Sequence, residues 1–243
     1  MTGTGYGQLG GAVVVTGALQ VTGSLNTSCQ SLTGAGSFTL VAGATLGICD
    51  AAGLSNTPGT GAVQTTGARS FSPAATYVYN GTAAQVTGTG LPATVATLAV
   101  DNPTGPVQLT QAVALTRELR LTRGVFNLNG RALTLLSDAT TTAQVNQDGA
   151  ATIGTVTGGS ATVQRFVPAN GNAGLGYRHF ASPVSGNTLA DLAVVGGFQP
   201  VFNGAYNNSA TSGAVTLFPT VFGFDPARVG TVLSSATGFD QGW

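Results

Sequence analysis

The sequence has 243 residues and very little charge: eight arginines and eight acidic residues give a formal net charge of zero. Charged residues make up 7% of the chain, against about 25% in a typical soluble domain, and lysine is absent. A chain without a basic patch lacks the electrostatic footprint of proteins that bind nucleic acid or anionic membranes, so we expect neither as a partner.

The composition favours strands over helices. Glycine occurs 37 times, whereas methionine occurs once and Glu118 is the only glutamate, so strong helix formers are nearly missing. Hydrophobic residues make up 42% of the chain, which supplies enough apolar surface for a folded core. The composition therefore predicts a folded all-β protein.

The longest apolar runs of the whole chain are short, such as Val13–Val15 and Leu192–Val195. None approaches the length of a membrane-spanning helix, so we predict no membrane span. Residues 1–20 also lack the charged and apolar regions of a signal peptide. We expect either that a leader has been removed or that the chain belongs to a longer product.

Cys29 and Cys49 are the two cysteines, and they do not form a C-x-x-C pair. They fit one disulfide of an oxidising compartment, and two buried free thiols of a cytosolic protein are the alternative. Their spacing falls one position short of the repeat described below. We expect a turn containing Gly34, Gly36 and Gly43 to absorb that difference, since a one-position slip within a strand would point the side chains to opposite faces.

An internal repeat of about 21 residues places apolar residues on apolar residues. Within each repeat, short stretches alternate apolar and polar residues as strands do, and turn-forming residues separate them. The predicted columns of inward residues are Tyr77, Leu98 and Leu119; Tyr79, Val100 and Leu121; Val86, Val107 and Leu128; Leu19 and Leu40; and Leu25 and Leu46.

Three short strands and three turns per repeat are typical of a parallel β-helix, in which stacked coils bury one continuous apolar column. Tandem antiparallel β-sandwiches are the alternative, because their strands also recur at short intervals. The constant repeat favours the β-helix. Between residues 50 and 76 the repeat is poor, which indicates an irregular coil or a loop insertion.

A change of composition predicts two domains. The repeat fades after Leu136, and a polar run follows, so we predict a β-solenoid domain over residues 1–159 and an aromatic-rich β domain over residues 160–243. The chain ends at Trp243 without a cap, so we expect the natural chain to continue. The aromatic residues expected to form the second core are Phe166, Tyr177, Phe180, Phe198, Phe202, Phe218, Phe222 and Phe224.

Motifs for catalysis, cofactors and metals are not evident, and we predict that the protein is not an enzyme. Residues 5–10 spell G-x-G-x-x-G, but the strand-like Val13–Val15 follows where a dinucleotide site needs a helix. His179 is the only histidine and would have to combine with Ser182 and Asp191 for nucleophilic catalysis. We interpret it as a histidine hydrogen-bonded within a packed turn. A zinc site would lack ligands.

The acidic residues are spread evenly, and no pair has the pattern of a glycoside hydrolase. They are Asp50, Asp101, Glu118, Asp138, Asp148, Asp191, Asp225 and Asp240. Arg117, Arg120 and Arg123 form the one basic cluster. We interpret it as a solvated face paired with Glu118, and contact with a sugar acid is the alternative.

Four segments carry a family resemblance: residues 42–50 (AGATLGICD), 77–92 (YVYNGTAAQVTGTGLP), 124–137 (GVFNLNGRALTLLS), and 162–192 with VQRFVPA, GYRHFASPVSG and LADL. Together they resemble large secreted surface proteins of Bacteroidota, which commonly end in a type IX secretion sorting domain. The resemblance implies an extracellular or cell-surface location and a structural or adhesive role, and it names no ligand.

These observations predict an extracellular structural or adhesive module, including a self-assembling filament subunit whose partners are copies of itself. Low charge removes repulsion between copies and favours such assembly. The alternative is a carbohydrate-binding or polysaccharide-processing β-helix protein, in which aromatic residues of 160–243 stack on the sugar rings of a surface polysaccharide. That alternative rests on analogy between solenoid folds.

Overall fold

The computed structural model describes the chain in several stretches, namely residues 5–147, 155–168, 179, 181–182, 185–194, 196–224 and 240–242. Within them the regular secondary structure is mostly strand, and three short 3-10 helices supply the helical residues. The chain divides into two compact units, Met1–His179 and Phe180–Trp243. The all-β class predicted from composition is therefore correct.

The described part of the first unit contains eighteen strands. They are β1 (Tyr6–Gln8), β2 (Val13–Val14), β3 (Ala18–Val21), β4 (Ser24–Asn26), β5 (Leu32–Thr33), β6 (Ser37–Leu40), β7 (Thr45–Ile48), β8 (Arg69–Phe71), β9 (Thr76–Tyr79), β10 (Gln85–Val86), β11 (Thr94–Asp101), β12 (Val107–Gln108), β13 (Val113–Arg123), β14 (Val125–Asn127), β15 (Leu133–Leu135), β16 (Gln144–Asn146), β17 (Thr155–Thr157) and β18 (Ala161–Val163).

The ladders that join these strands are parallel. The largest sheet has the order β1-β4-β7-β9-β11-β13-β15-β18, and β16 also pairs with β13. Three smaller sheets have the orders β10-β12-β14-β17, β3-β6-β8 and β2-β5. Tandem antiparallel sandwiches would need antiparallel ladders between these strands, and each of the ladders described among β1–β18 is parallel.

The register of the largest sheet confirms three of the predicted columns. Leu98 pairs with Tyr77 on one side and Leu119 on the other, Val100 pairs with Tyr79 and Leu121, and Leu25 pairs with Leu46. These side chains are buried or half-buried, so the alternation along each strand identifies the inward face.

Two predicted columns are wrong. Val107 pairs with Gln85 and Phe126 instead of Val86 and Leu128. Likewise Leu19 pairs with Phe38, and Leu40 pairs with Val21. The pairs Leu19–Phe38 and Val107–Phe126 have a sequence spacing two positions shorter than the predicted repeat. A change of two positions keeps a side chain on the same face of a strand. Apolar alternation therefore could not distinguish the shorter spacing from the longer one.

The insertion expected between residues 50 and 76 is confined to one corner. Leu32 bridges to Val63, and Leu46 pairs with Tyr77. Both spacings are ten positions longer than the spacing of the pair Leu25 and Leu46, so ten extra residues lie between Leu46 and Val63. The strands β8 and β9 after the insertion keep their parallel partners.

Two large tyrosines occupy the centre of the core, where Tyr77 and Tyr79 are completely buried. The Tyr77 hydroxyl donates to the Ser72 carbonyl at 2.7 Å, and the Tyr79 hydroxyl donates to the Thr87 carbonyl at 2.7 Å. Burial raises the pKa of both hydroxyls, and in Tyr79 the charge of an ionised Tyr77 adds to the effect. The core therefore holds these tyrosines in the neutral form.

One corner of the sheets is joined by two buried amide side chains. Gln85 donates from Nε2 to the carbonyls of Ile48 and Asp50, both at 3.0 Å. Its Oε1 accepts from Nδ2 of Asn102 at 3.0 Å, and Asn102 also donates to the Ala83 carbonyl at 2.6 Å. This network links three successive repeats and satisfies polar groups that could not be buried unpaired.

The two units meet in sequence at His179 and Phe180, well after the boundary that composition predicts between residues 159 and 160. The segment just after residue 159 still contributes to the first unit, because β18 pairs in parallel with β15. Because β18 is only three residues long, its pairing leaves no visible mark on the composition of the surrounding segment.

The second unit contains the 3-10 helices Leu189–Leu192, Gly204–Asn208 and Ser212–Ala214 and an antiparallel pair, β19 (Phe222–Phe224) with β20 (Asp240–Gly242). Tyr206, Phe218 and Phe222 form an aromatic group with ring centroids 5.4–6.0 Å apart. Tyr206 was not among the expected core residues. Of the expected ones, Tyr177 and Phe180 lie outside the described residues, and four are exposed, namely Phe166, Phe198, Phe202 and Phe218.

Candidate functional site

Cys29 and Cys49 form a disulfide with their Cα atoms 4.6 Å apart, within the usual window of about 4.4–6.8 Å. It joins the turn after β4 to the end of β7, two strands that are neighbours in the largest sheet. Cys49 is buried and Cys29 is exposed. The bond therefore ties consecutive repeats together at one corner.

The spacing of the cysteines is one residue shorter than the repeat of the neighbouring strands, and the turn that contains Cys29 absorbs this difference. Ser28 and Cys29 both have positive φ, 50° and 60°, which is uncommon for residues other than glycine. Asn26 Oδ1 accepts the Ser28 N–H at 3.0 Å and holds this turn. Gly34, Gly36 and Gly43, which the sequence suggested for this role, lie beyond the turn, so that expectation is wrong.

The arginine cluster lies on β13, where two β-bulges change the direction of side chains. Opposite the single residue Ala96, β13 carries both Thr116 and Arg117. The second bulge adds Thr122 just before Arg123. In a regular strand, strict alternation would fix the face on which the side chains of Arg117 and Arg123 lie. The two bulges release both residues from that alternation.

Each arginine of the cluster has a different partner. Arg120 Nη2 lies 2.8 Å from Glu118 Oε2, and Arg123 Nε lies 2.5 Å from Asp101 Oδ1. Arg117 instead donates from Nε and Nη2 to the Thr97 hydroxyl, at 3.1 and 3.0 Å. The predicted pairing with Glu118 thus holds for Arg120, and Asp101 is the partner that sequence reasoning missed.

The Glu118 carboxylate is anchored on two sides, because Asn146 Nδ2 donates to its Oε1 at 2.9 Å while Arg120 holds Oε2. Partial burial raises the pKa of Glu118, but these hydrogen bonds and the charges of Arg120 and Arg117 outweigh it, so the pKa lies below its ordinary value. Glu118 is therefore an ionised structural partner and is unsuited to donating a proton near neutral pH.

Of the residues considered for nucleophilic catalysis, Asp191 makes local structural contacts. The Asp191 carboxylate accepts from the backbone N–H and the hydroxyl of Thr188, at 2.6 and 3.1 Å, and so caps the helix Leu189–Leu192. His179 is exposed. Asp148 and Asp225 lie outside the described residues. Within the described part of the chain, no cluster of three or more potential metal ligands occurs.

A pocket of about 240 Å³ lies beside the ten-residue insertion. We define the insertion loop as residues 55–61; its ends are drawn together by a hydrogen bond from the Ala62 N–H to the Gly53 carbonyl at 2.8 Å. The pocket is lined by Ser55, Asn56, Pro58, Gly67, Arg69 and Phe71.

Arg69, the first residue of β8, fixes the insertion loop. Its Nη2 donates to the Asn56 carbonyl at 2.7 Å, and its Nη1 donates to the carbonyls of Val63 at 2.9 Å and Thr57 at 3.4 Å. Sequence reasoning missed Arg69 because its three partners come from the insertion and its end, where the repeat offers no register. The available signal was an arginine directly after a break in the repeat.

No protein-family model matches the chain, and no curated protein or solved structure is detectably similar to it. In the part of the chain that the structure describes, none of the helices has the length and apolar character needed to cross a bilayer.

Proposed function

We propose that this chain is an extracellular structural or adhesive module whose parallel sheets wind as a β-helix and whose copies assemble end to end. The observation that carries the proposal is the order of the parallel ladders, since each of the sheets formed by β1–β18 runs from earlier to later strands. A solenoid needs this order, because every coil stacks on the preceding one. The disulfide is compatible with an extracellular location.

The edge strands support assembly. Among the described residues, β1, β2 and β3 each pair on one side only, as do β16, β17 and β18 at the other end of the ladders. Unpaired strand edges are templates for pairing with another chain. Tyr6 is 70% exposed and Val14 is 68% exposed near the first edge, and Val145 is 50% exposed near the last. A second copy would cover these apolar side chains while continuing the parallel ladders.

The proposed occupant of both edges is another copy of this chain, since the ladders at both ends are parallel and a copy stacked in the same direction would continue them. The net charge of zero places no repulsion between copies. The family resemblance inferred from four segments of the sequence would imply a structural role outside the cell. Adhesion or spacing would follow from the rigidity of the stacked coils.

The assembly is tested by multi-angle light scattering and negative-stain microscopy across a range of protein concentrations. We expect association that increases with concentration and filaments of uniform width. Val14→Lys places a charge on the exposed edge and should suppress association, whereas Ser70→Lys, at an exposed position of the three-stranded sheet, should not. A monomer at all concentrations, or equal association of both variants, would contradict end-to-end assembly.

A further inference from the structure

The insertion loop and its pocket are not needed for the proposed assembly, because the loop follows β7, an inner strand of the largest sheet, and belongs to neither edge. Most loops that connect strands in compact domains are about 4–6 residues long, and compact loops with joined ends frequently carry function. Among the described repeats from β4 to β13, the repeat that contains the insertion loop is the one with ten additional residues, which lie between Leu46 and Val63.

The sheet is interrupted beside the loop. Strand β8 pairs with β6, and its other edge has no partner strand among the described residues. Pairing resumes shortly afterwards, where the Ala96 N–H donates to the Pro73 carbonyl at 2.7 Å. The pocket therefore opens onto the side of β8, with Phe71 on the strand and Ser55, Asn56 and Pro58 on the loop.

The loop walls of the pocket are preformed. Asn56 is held in place, because its N–H donates to the Thr89 hydroxyl at 3.1 Å and its Nδ2 donates to the Thr89 carbonyl at 2.7 Å. The Thr60 hydroxyl donates to Ser55 Oγ at 2.6 Å, which closes the loop on itself. Binding sites for small molecules are usually formed in advance in this way, because ordering a loop on binding costs affinity.

Arg69 brings an uncompensated positive charge into this pocket. A guanidinium has five N–H donors, and the three hydrogen bonds to carbonyls leave Nε–H and one Nη2–H without a partner among the described residues. No described carboxylate forms an ion pair with Arg69, in contrast to Arg120 and Arg123. Nε and Nη2 lie on one edge of the guanidinium plane, the edge that can hold a carboxylate with two parallel hydrogen bonds.

Phe71 supplies an apolar surface next to that charge. Its ring packs on Phe38 with centroids 5.7 Å apart, so its position is fixed from the core side, and its remaining surface lines the pocket. Ser55 and Asn56 add polar residues to the lining of the same pocket. A ring with one carboxylate, one apolar face and several hydroxyls matches this combination of groups.

We propose that the pocket beside the insertion loop binds one uronic-acid unit of a saccharide, with its carboxylate on Arg69 and its ring against Phe71. The volume of about 240 Å³ is below the range of about 300–1,000 Å³ that is usual for drug-sized ligands, so the pocket takes a single ring. Longer chains would continue into solvent from the open side. This site is independent of the proposed assembly and would operate equally in a monomer.

The test is a titration of the isotopically labelled full chain with glucuronate, followed by backbone amide NMR shifts. We expect saturable shifts confined to residues 55–71 and their neighbours, weakening as salt is added because the contact is charged. Glucose, which has the ring without the carboxylate, should bind at least about tenfold more weakly, since it leaves the guanidinium fork unused. Acetate, which has the carboxylate without the ring, should bind more weakly as well.

Arg69→Lys keeps the charge and removes the fork, and should lower glucuronate affinity at least about tenfold. Arg131→Gln changes charge at an exposed site elsewhere in the unit and should leave the affinity unchanged. The wild-type titration decides the matter if Arg69→Lys fails to fold. Absence of saturable shifts near the loop, equal binding of glucuronate and glucose, acetate binding as tight as glucuronate, or unchanged affinity in a folded Arg69→Lys would each overturn the proposal.

Discussion

The backbone N–H of Cys49 donates to the hydroxyl of Thr27 at 3.3 Å, and Thr27 lies two residues before Cys29, the disulfide partner of Cys49. The same hydroxyl donates to the Gly47 carbonyl at 3.0 Å, and Thr27 is completely buried. One threonine side chain thus satisfies two backbone groups of the neighbouring repeat, at the corner where the disulfide closes. The turn at Ser28 and Cys29 is held from both sides.

Thr27→Val keeps the shape of the side chain and removes both hydrogen bonds. The Cys49 N–H would be left buried and unsatisfied, so we expect the free energy of unfolding to fall by about 1–3 kcal/mol. Urea unfolding followed by circular dichroism measures the change. Thr16→Val, at an exposed position, is the control and should leave stability nearly unaltered. Equal midpoints for the two variants would show that the Thr27 hydroxyl contributes no stability.

Removal of the disulfide should destabilise the first unit. Closing a loop of 20 residues restricts the unfolded chain by roughly 3 kcal/mol, so a Cys29→Ala, Cys49→Ala double variant should unfold at lower urea concentration. Reductant should lower the stability of the parent protein by a similar amount and leave the double variant unchanged. Mass spectrometry of the digested, non-reduced protein provides the direct check, and free thiols at both positions would contradict the bond and the extracellular proposal.

The column of Tyr79, Val100 and Leu121 predicts a strong response to a buried charge. Leu121 is 2% exposed, so Leu121→Asp would place a carboxylate in the core and cost about 3–5 kcal/mol. Ser70→Asp introduces the same side chain at an exposed strand position and should change stability by less than about 0.5 kcal/mol. Thermal unfolding compares the two, and a Leu121→Asp midpoint equal to that of the parent would contradict the column.

Titration of the tyrosines tests the core from another direction. The pKa values of Tyr77 and Tyr79 are raised in the folded state, so these hydroxyls stabilise the fold fully below about pH 10, the unfolded value, and this stability is lost as pH rises further. We therefore expect the protein to unfold in alkali, with an abrupt increase in tyrosinate absorbance at that point.

A Tyr77→Phe, Tyr79→Phe double variant provides the comparison. It should retain the gradual part of the absorbance titration, which comes from tyrosines outside the core, and lose part of the abrupt step. If the double variant instead lost amplitude in the gradual part below the unfolding transition, the two hydroxyls would be accessible to solvent, in contradiction to the burial of Tyr77 and Tyr79.

Sequence reasoning predicted the parts of the fold that repeat strictly. The alternation around Leu98 and Leu119 continues over long strands, so a single constant shift aligned them correctly. The sheet containing Val107 and Phe126 has two- and three-residue strands, and such strands fit a shorter offset equally well. The lengths of the turns decide between these offsets, and the turn lengths depend on side chains that contact other repeats.

The pocket beside Arg69 could not be predicted for a related reason. Its lining comes from both sides of an insertion with no counterpart in the other described repeats, and the arginine contacts carbonyl groups, whose positions no side-chain pattern encodes. The same holds for Gln85 and Asn102, whose amides pair only after three repeats have stacked. The cysteine pair was predictable because its spacing, close to the length of the repeat, places the two residues at corresponding corners of adjacent repeats.

The Cys29–Cys49 bond also sets how far the chain can extend under mechanical load. When the ends of the polypeptide are pulled apart, the segment between the cysteines, which are 20 positions apart, is bypassed, because force passes through the sulfur atoms. At roughly 3.3–3.6 Å per extended residue, the oxidised chain should be shorter than the reduced one by about 65 Å at full stretch. A molecule that connects two surfaces would thus have a tether length that depends on the redox state of its surroundings.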